Sequence, residues 1–113
     1  MTIVREGISL AELDAMAGRT FGSMVKAVVD VERGIIAVDA ELHSDEEAAL
    51  LEDGSEQGNL WGINLYPGVA GEDWIEFDSL INIRPWQDNR TRGVADPELR
   101  DRIRQVVGRL VTR

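Results

Sequence analysis

Residues 24–42, MVKAVVDVERGIIAVDAEL, decide the fold that this sequence predicts. Two runs rich in β-branched residues flank Glu32-Arg33-Gly34, and the glycine stands where a hairpin loop needs a positive φ. If Lys26 lies opposite Asp39, the apolar side chains of both strands share one buried face. That set is Val25, Ala27, Val29, Val31, Ile36, Val38, Ala40 and Leu42. The charged residues fall on the other face, which we expect to be open to solvent.

Helix signals stand on both sides of this hairpin. Ser9-Leu10-Ala11-Glu12 has the pattern of a capping box and predicts a short helix that ends near Gly18. Asp96 as N-cap, Pro97 at the first helical position and Glu98 in the first turn predict a longer C-terminal helix. The buried face of that helix is formed by Leu99, Ile103, Val106, Val107, Leu110 and Val111.

Residues 44–53 fit two structures. Ser44-Asp45-Glu46-Glu47 is a second capping-box pattern, which favours a helical turn before Ala48. The same residues could begin a strand that turns back at Asp53-Gly54-Ser55. The sequence leaves both alternatives open.

Three further stretches have strand character. Residues 60–67, LWGINLYP, read as a strand that Pro67 ends, and Gly62 within it indicates a bulge or a close backbone approach. WIEF at 74–77 and LINI at 80–83 are further strand candidates. Together the patterns predict one domain over residues 1–113 with an α+β fold. Its mostly antiparallel sheet holds a central β-hairpin, between a short N-terminal helix and a longer C-terminal helix.

The composition restricts the class of protein. The chain has 113 residues, a net charge of −9 and no cysteine, which excludes disulfides, a thiolate nucleophile and cysteine-based zinc sites. No apolar run approaches the roughly 20 residues that span a bilayer, and the start lacks a signal-peptide pattern. We therefore expect a cytoplasmic protein that does not contact a membrane. The acidic charge argues against nucleic acid as a partner.

Arginines gather in one loop of this acidic chain. In INIRPWQDNRTRG, residues 81–93, Pro85 ends a strand and the following residues are expected on a surface loop. Arginine forks suit carboxylates and phosphates, and a tryptophan beside them offers a stacking face. We therefore predict a binding site for a protein partner or an anionic small ligand, without a cofactor. Its residues are Arg84, Trp86, Asn89, Arg90 and Arg92. The competing interpretation is that Arg84 pairs with acids of its own sheet and Trp86 covers the edge of the core.

A divalent metal is the alternative prediction. Asp39, Glu41, His43 and Asp45 alternate and would share one face of a strand. Such oxygen and imidazole ligands suit Mg²⁺, Mn²⁺ or Zn²⁺ and would support a metal-dependent hydrolase. Alternate residues of a strand are roughly 6–7 Å apart, which is too far for all four to reach one ion without a bend. A solvated acidic face is the competing interpretation.

Two further possibilities need no such chemistry. Asn64 and Tyr66 share a face near Trp61 and Trp74, so these residues could line a small-ligand pocket or simply form core. A structural homodimer, formed through an edge strand, would need no ligand site at all. The chain has no GxSxG elbow, no Walker phosphate loop and no GxGxxG.

Four blocks carry a resemblance to a known family. They are ELHSDEEAALLEDGS, LWGINLYP, EFDSLINIRP and NRTRGV, in this order and spacing. With them the chain resembles, over nearly its whole length, a family of short bacterial proteins of unknown function. The resemblance implies a bacterial or phage origin and one compact domain. It implies no activity and assigns no functional residue.

Overall fold

The computed structural model describes all 113 residues, 1–113. Its helices are α1 (Leu10–Arg19), α2 (His43–Glu52) and α3 (Pro97–Leu110). Its strands are β1 (Thr2–Val4), β2 (Ile8–Ser9), β3 (Val25–Asp30), β4 (Ile35–Val38), β5 (Leu60–Leu65), β6 (Ile75–Glu76) and β7 (Val111–Thr112). Five strands form an antiparallel sheet in the order β1-β4-β3-β5-β6, while β2 and β7 form a short parallel pair. The predicted α+β fold with a mostly antiparallel sheet is confirmed.

The hairpin β3–β4 has the predicted register. Ala27 pairs with Val38 and Val29 with Ile36, the same offset that sets Lys26 against Asp39. Gly34 has a φ of 67°, the conformation that the loop requires. The second strand is shorter than predicted, because Asp39 has a φ of 70° and turns the chain toward α2. Leu42 therefore lies outside the sheet and is exposed, so its predicted place in the core is wrong.

Both faces of the sheet are covered. On one face, the apolar residues of the hairpin pack against α1 and α3 in the main core. On the other face, Val28, Ile35 and Ala37 pack with Leu50 of α2 and with Leu60. The expectation of a solvated charged face is wrong. Asp30 on that face is fully buried, and its carboxylate accepts the backbone N–H groups of residues 32 and 33 in the hairpin loop.

Residues 43–52 form a helix, so the helical alternative is the correct one. Its N-cap is Leu42, without a side-chain hydrogen bond, so the capping box predicted at Ser44 does not form. The Glu46 carboxyl group instead accepts the backbone N–H of Ala40 through one oxygen at 3.1 Å. This contact joins the first turn of α2 to the bend that follows β4.

The segment after β5 departs most from the sequence prediction. WIEF contributes only the two-residue strand β6. LINI does not form a strand, because residues 80–82 make a 3₁₀ turn in which the Ser79 hydroxyl accepts the N–H of Ile81. Gly62 of β5 lies directly beneath this turn, where a Cβ would come within 2.5 Å of Ser79. Gly62 is thus closely approached, but by the side chains of Ser79 and Ile81 and not by another backbone as predicted.

The terminal helices begin where the sequence indicates. The Ser9 hydroxyl accepts the N–H of Glu12, and the Asp96 carboxylate accepts the N–H of Glu98. Within the predicted face of α3, residues 103, 106, 107 and 110 are buried, while Val111 belongs to β7. No helix has both the length and the apolar character needed to cross a membrane.

Candidate functional site

The candidate site lies where side chains complete the outer edge of β5. Strand β6 pairs only with Asn64 and Leu65, so the earlier part of β5 needs other partners on that side. At Gly62, the Asn82 amide accepts the backbone N–H at 2.8 Å and donates to the carbonyl at 2.9 Å. At Leu60, Arg84 Nη2 donates to the carbonyl at 2.5 Å. Two side chains of the INIRP segment therefore replace a missing strand.

Arg84 is a buried structural residue in this arrangement. It is 2% exposed, and Nη1 donates to the Gln57 carbonyl at 2.5 Å. Its guanidinium lies 3.9 Å from the centre of the Trp61 ring. Burial lowers the pKa of Arg84, and the nearby Glu47 carboxylate opposes that change. Burial also raises the pKa of Glu47, against the effect of the Arg84 charge. Because both terminal nitrogens donate to carbonyls inside the fold and Nε is buried, Arg84 presents no fork to a ligand.

Trp86 stands at the tip of a tightly bonded hairpin formed by residues 84–89. The Arg84 N–H donates to the Asn89 carbonyl at 2.7 Å, and the Asn89 N–H donates back at 3.2 Å. Between them lies a 3₁₀ turn at residues 85–87, followed by Asp88 with a φ of 57°. Trp86 is 74% exposed. The hairpin therefore holds a large apolar side chain in solvent on a fixed backbone.

Asn89 closes the loop from within. It is 3% exposed, and its amide nitrogen donates to the carbonyls of Asn82, Thr91 and Gly93. Its amide oxygen accepts the N–H of Ala95 at 2.8 Å. Both its amide nitrogen and its amide oxygen bond within the chain, so Asn89 supports the loop from inside.

The two remaining arginines of the predicted site are at the surface. Arg92 Nε donates to Asp78 at 2.6 Å in an exposed ion pair. Arg90 is exposed and makes neither an ion pair nor a side-chain hydrogen bond. Of the five predicted residues, the structure thus turns Arg84 and Asn89 inward and leaves Trp86, Arg90 and Arg92 outside. The sequence prediction omitted Asn82, which no local pattern marked because its partner, Gly62, lies 20 residues away in the chain.

The four residues of the metal hypothesis do not lie on one strand. Asp39 follows the end of β4, Glu41 is in the connecting turn, and His43 and Asp45 belong to the first turn of α2. The expected ladder is therefore wrong, because the positive φ of Asp39 ends the strand before it can form. No group of three or more His, Asp and Glu side chains has a geometry that could hold a metal ion.

His43 instead belongs to a buried polar cluster at the start of α2. Its Nε2 lies 2.8 Å from the Ile63 carbonyl, which can only accept, so this nitrogen carries the proton. Burial lowers the pKa of His43, an effect that the Ile63 carbonyl opposes. One turn later, Glu46 is fully buried, and burial raises its pKa to about 9 against the effect of the Ala40 N–H. The sequence prediction named Glu46 only as part of a capping-box pattern and missed its burial.

Asn64 and Tyr66 do share a face, as predicted. Both donate to Glu76 Oε1 across the sheet, at 2.8 Å and 3.1 Å, and Asn64 also donates to the Asp78 carbonyl. Burial raises the pKa of Tyr66, and its contact with the Glu76 carboxylate acts in the same direction. Their side chains project from one face of the sheet, whereas Trp61 packs in the main core on the opposite face of β5. They do not line a common pocket with the tryptophans.

A cleft of about 420 Å³ lies beside the hairpin. Trp61 and Leu99 give it an apolar floor, and Asn89 and Asp88 belong to its wall. The N-terminal turn of α3 adds carboxylates that make the rim acidic. The cleft next to Trp86 is consequently polar and negatively charged, which does not favour an anion there.

One comparison with known proteins supports the membership of a family of unknown function that the sequence suggested. Neither the curated proteins nor the solved structures include a match to this chain. A family model described as "Protein of unknown function (DUF5674)" matches residues 2–110. The match covers almost the whole chain, from β1 to the end of α3. The chain therefore belongs to this family of proteins of unknown function.

Proposed function

We propose that the protein is a binding module that recognises a protein partner through the 84–89 hairpin, with Trp86 as the central contact. The observation that carries the proposal is the 74% exposure of Trp86 on a backbone fixed by hydrogen bonds on both strands of the hairpin. Leu80, 67% exposed, and Ile83, 39% exposed, are in the same segment. Exposed apolar residues on a rigid support are typical of protein interfaces, where tryptophan is enriched.

Rigidity of the hairpin supports this function energetically. Arg84 and Asn89 hold its base from inside the fold, so the loop need not become ordered when a partner binds. Preorganisation lowers the entropic cost of association. Full burial of the exposed part of the indole, on the order of 150 Å², corresponds to about 4 kcal/mol at 25 cal/mol/Å².

A protein partner is favoured over an anionic small ligand at this position. The guanidinium of Arg84 is used inside the fold and Arg92 is paired with Asp78. Only Arg90 remains free of an internal partner, and the neighbouring cleft is acidic. One isolated exposed cation gives an anion little affinity in water. An apolar pocket on a folded partner matches Trp86 better.

The test compares three forms of the full chain: wild type, Trp86→Ala and Leu42→Ala. Leu42 is also an exposed large apolar residue, 54% exposed, but it lies at the start of α2 and serves as the control. Each form is immobilised and used to capture proteins from a lysate. Proteins that bind wild type and Leu42→Ala, but not Trp86→Ala, are purified, and the Kd of each for the three forms is measured. We expect Trp86→Ala to weaken binding by about thirtyfold or more, the loss typical of a central interface tryptophan.

Two results would overturn the proposal. One is that Trp86→Ala captures the same proteins as wild type and Leu42→Ala. The other is that wild type sediments as a dimer which Trp86→Ala converts to a monomer, since the occupant of this surface is then a second copy of the chain. Urea unfolding of Trp86→Ala should remain within about 0.5 kcal/mol of wild type, because an exposed side chain contributes little to stability.

A further inference from the structure

A second cleft, of about 500 Å³, lies between the last turns of α3 and the segment that enters β6. Its apolar lining is formed by Trp74, Ile75 and Val111, each less than one tenth exposed. The cleft shares no lining residue with the 84–89 hairpin. Its volume falls within the range of about 300–1,000 Å³ typical of small-molecule sites.

Two glycines leave this cleft open. Gly71 has a φ of 77°, and Gly108 lies within α3. A Cβ at either position would meet no neighbouring atom within 4 Å. A side chain at position 108 would therefore extend into the cleft without first displacing part of the fold.

Positive charge lines the cleft although the chain as a whole is acidic. Arg104 and Arg113 face it together with a single acid, Glu72. The Arg113 guanidinium lies 4.9 Å from the centre of the Trp74 ring and forms no ion pair. Arg104 donates to Asp101 through Nη1 at 2.9 Å, and its Nη2 makes no hydrogen bond within the chain. Its guanidinium lies 5.2 Å from the centre of the Phe77 ring. Unused guanidinium donors thus stand next to an apolar surface.

We propose that this cleft binds a small carboxylate with an apolar body. The apolar part lies against Trp74 and Val111, and the carboxylate accepts hydrogen bonds from Arg104 and Arg113. Planar guanidinium groups match a carboxylate in shape and charge, and the surrounding apolar surface strengthens their contact. The anionic ligand that the sequence predicted near residues 84–92 is thereby assigned to a different pair of arginines.

The test uses phenylacetate as the probe and phenylacetamide as its uncharged counterpart of the same shape. Isotope-labelled full chain is titrated while the indole N–H signals of Trp61, Trp74 and Trp86 are followed by NMR. We expect a saturable shift of the Trp74 signal with phenylacetate and about tenfold weaker binding of phenylacetamide, the change typical of losing a charged hydrogen-bond partner. Arg113→Gln should weaken phenylacetate to a similar degree, and Arg90→Gln should leave it unchanged.

A pair of helix glycines provides the matched control for the cleft itself. Gly108→Leu fills the cleft and should weaken phenylacetate binding by about tenfold or more. Gly18→Leu makes the same change at an exposed position of α1, where a Cβ also meets nothing within 4 Å, and should leave binding unchanged. Far-ultraviolet circular dichroism checks that both variants fold.

Three results would overturn this proposal. They are no saturable shift up to the solubility limit of phenylacetate, equal affinity for phenylacetamide, and unchanged affinity in Gly108→Leu. None of them bears on the partner bound through Trp86, because the hairpin lies outside the cleft. Failure of either proposal is thus distinguishable from failure of the other.

Discussion

Replacement of Arg84 by methionine tests whether this arginine is structural. Methionine keeps an unbranched apolar stem that ends about where Nε stands, and it removes every donor. The carbonyls of Gln57 and Leu60 then lose the partners that now lie at 2.5 Å, and the stack on Trp61 is lost. A buried polar group without a partner costs about 1–3 kcal/mol, and the cation–π contact contributes about 1 kcal/mol.

The expected loss in the free energy of unfolding is about 2–4 kcal/mol. The free energies of the lost contacts add up to somewhat more than this value. Part of that loss is offset because the variant no longer has to desolvate a buried guanidinium on folding. Urea unfolding followed by circular dichroism measures the change. With a slope of about 2 kcal/mol/M, in the middle of the range for small proteins, the midpoint should fall by about 1–2 M.

Arg90→Met is the matched control for this experiment. Arg90 is in the same loop, exposed and without an internal partner, so its replacement should change the free energy of unfolding by less than about 0.5 kcal/mol. Equal stability of Arg84→Met and Arg90→Met would refute the structural role of Arg84. It would return Arg84 to the set of candidate ligand-binding residues.

Two further predictions concern buried positions. Gly62→Ala should destabilise the fold by about 2 kcal/mol or more in urea unfolding, since its Cβ would lie 2.5 Å from the buried Ser79 side chain. Its control is Gly108→Ala, whose Cβ meets open space and which should be neutral or stabilising by up to about 1 kcal/mol. The pKa of Glu46, raised to about 9, means that the folded state holds a proton that the unfolded state releases above about pH 4.5. Wild type should therefore lose stability relative to Glu46→Gln as the pH rises from 5 to 9, and urea midpoints that move in parallel across this range would contradict the buried neutral carboxyl.

Local patterns in the sequence were sufficient for most of the secondary structure. The alternation of apolar residues in β3 and β4 fixed one register, because a shift by one residue would have exchanged the two faces. Ser9 and Asp96 marked the helix starts because their side chains bond backbone groups two or three residues away. Each of these features depends on neighbours in the chain, which a single sequence contains.

The candidate sites depended on contacts between segments far apart in the chain. Asp39 adopts a positive φ that no local pattern required, and this bend removed both the extended strand and the carboxylate ladder. LINI has strand-like composition, yet a 3₁₀ turn forms there because Ser79 and Asn82 find partners over Gly62.

The sequence by itself determined that the protein is an α+β fold built on one hairpin, and that an exposed loop would carry a tryptophan among arginines. Only the tertiary structure decided which of those arginines face solvent. Arg84 turns inward because β6 is too short to pair with Leu60, and a buried carbonyl must find a donor. Arg90 has no such demand and stays outside. The local sequence around Arg84 and Arg90 does not distinguish the two residues. The unpaired edge of β5, which draws Arg84 inward, exists only once the sheet has formed.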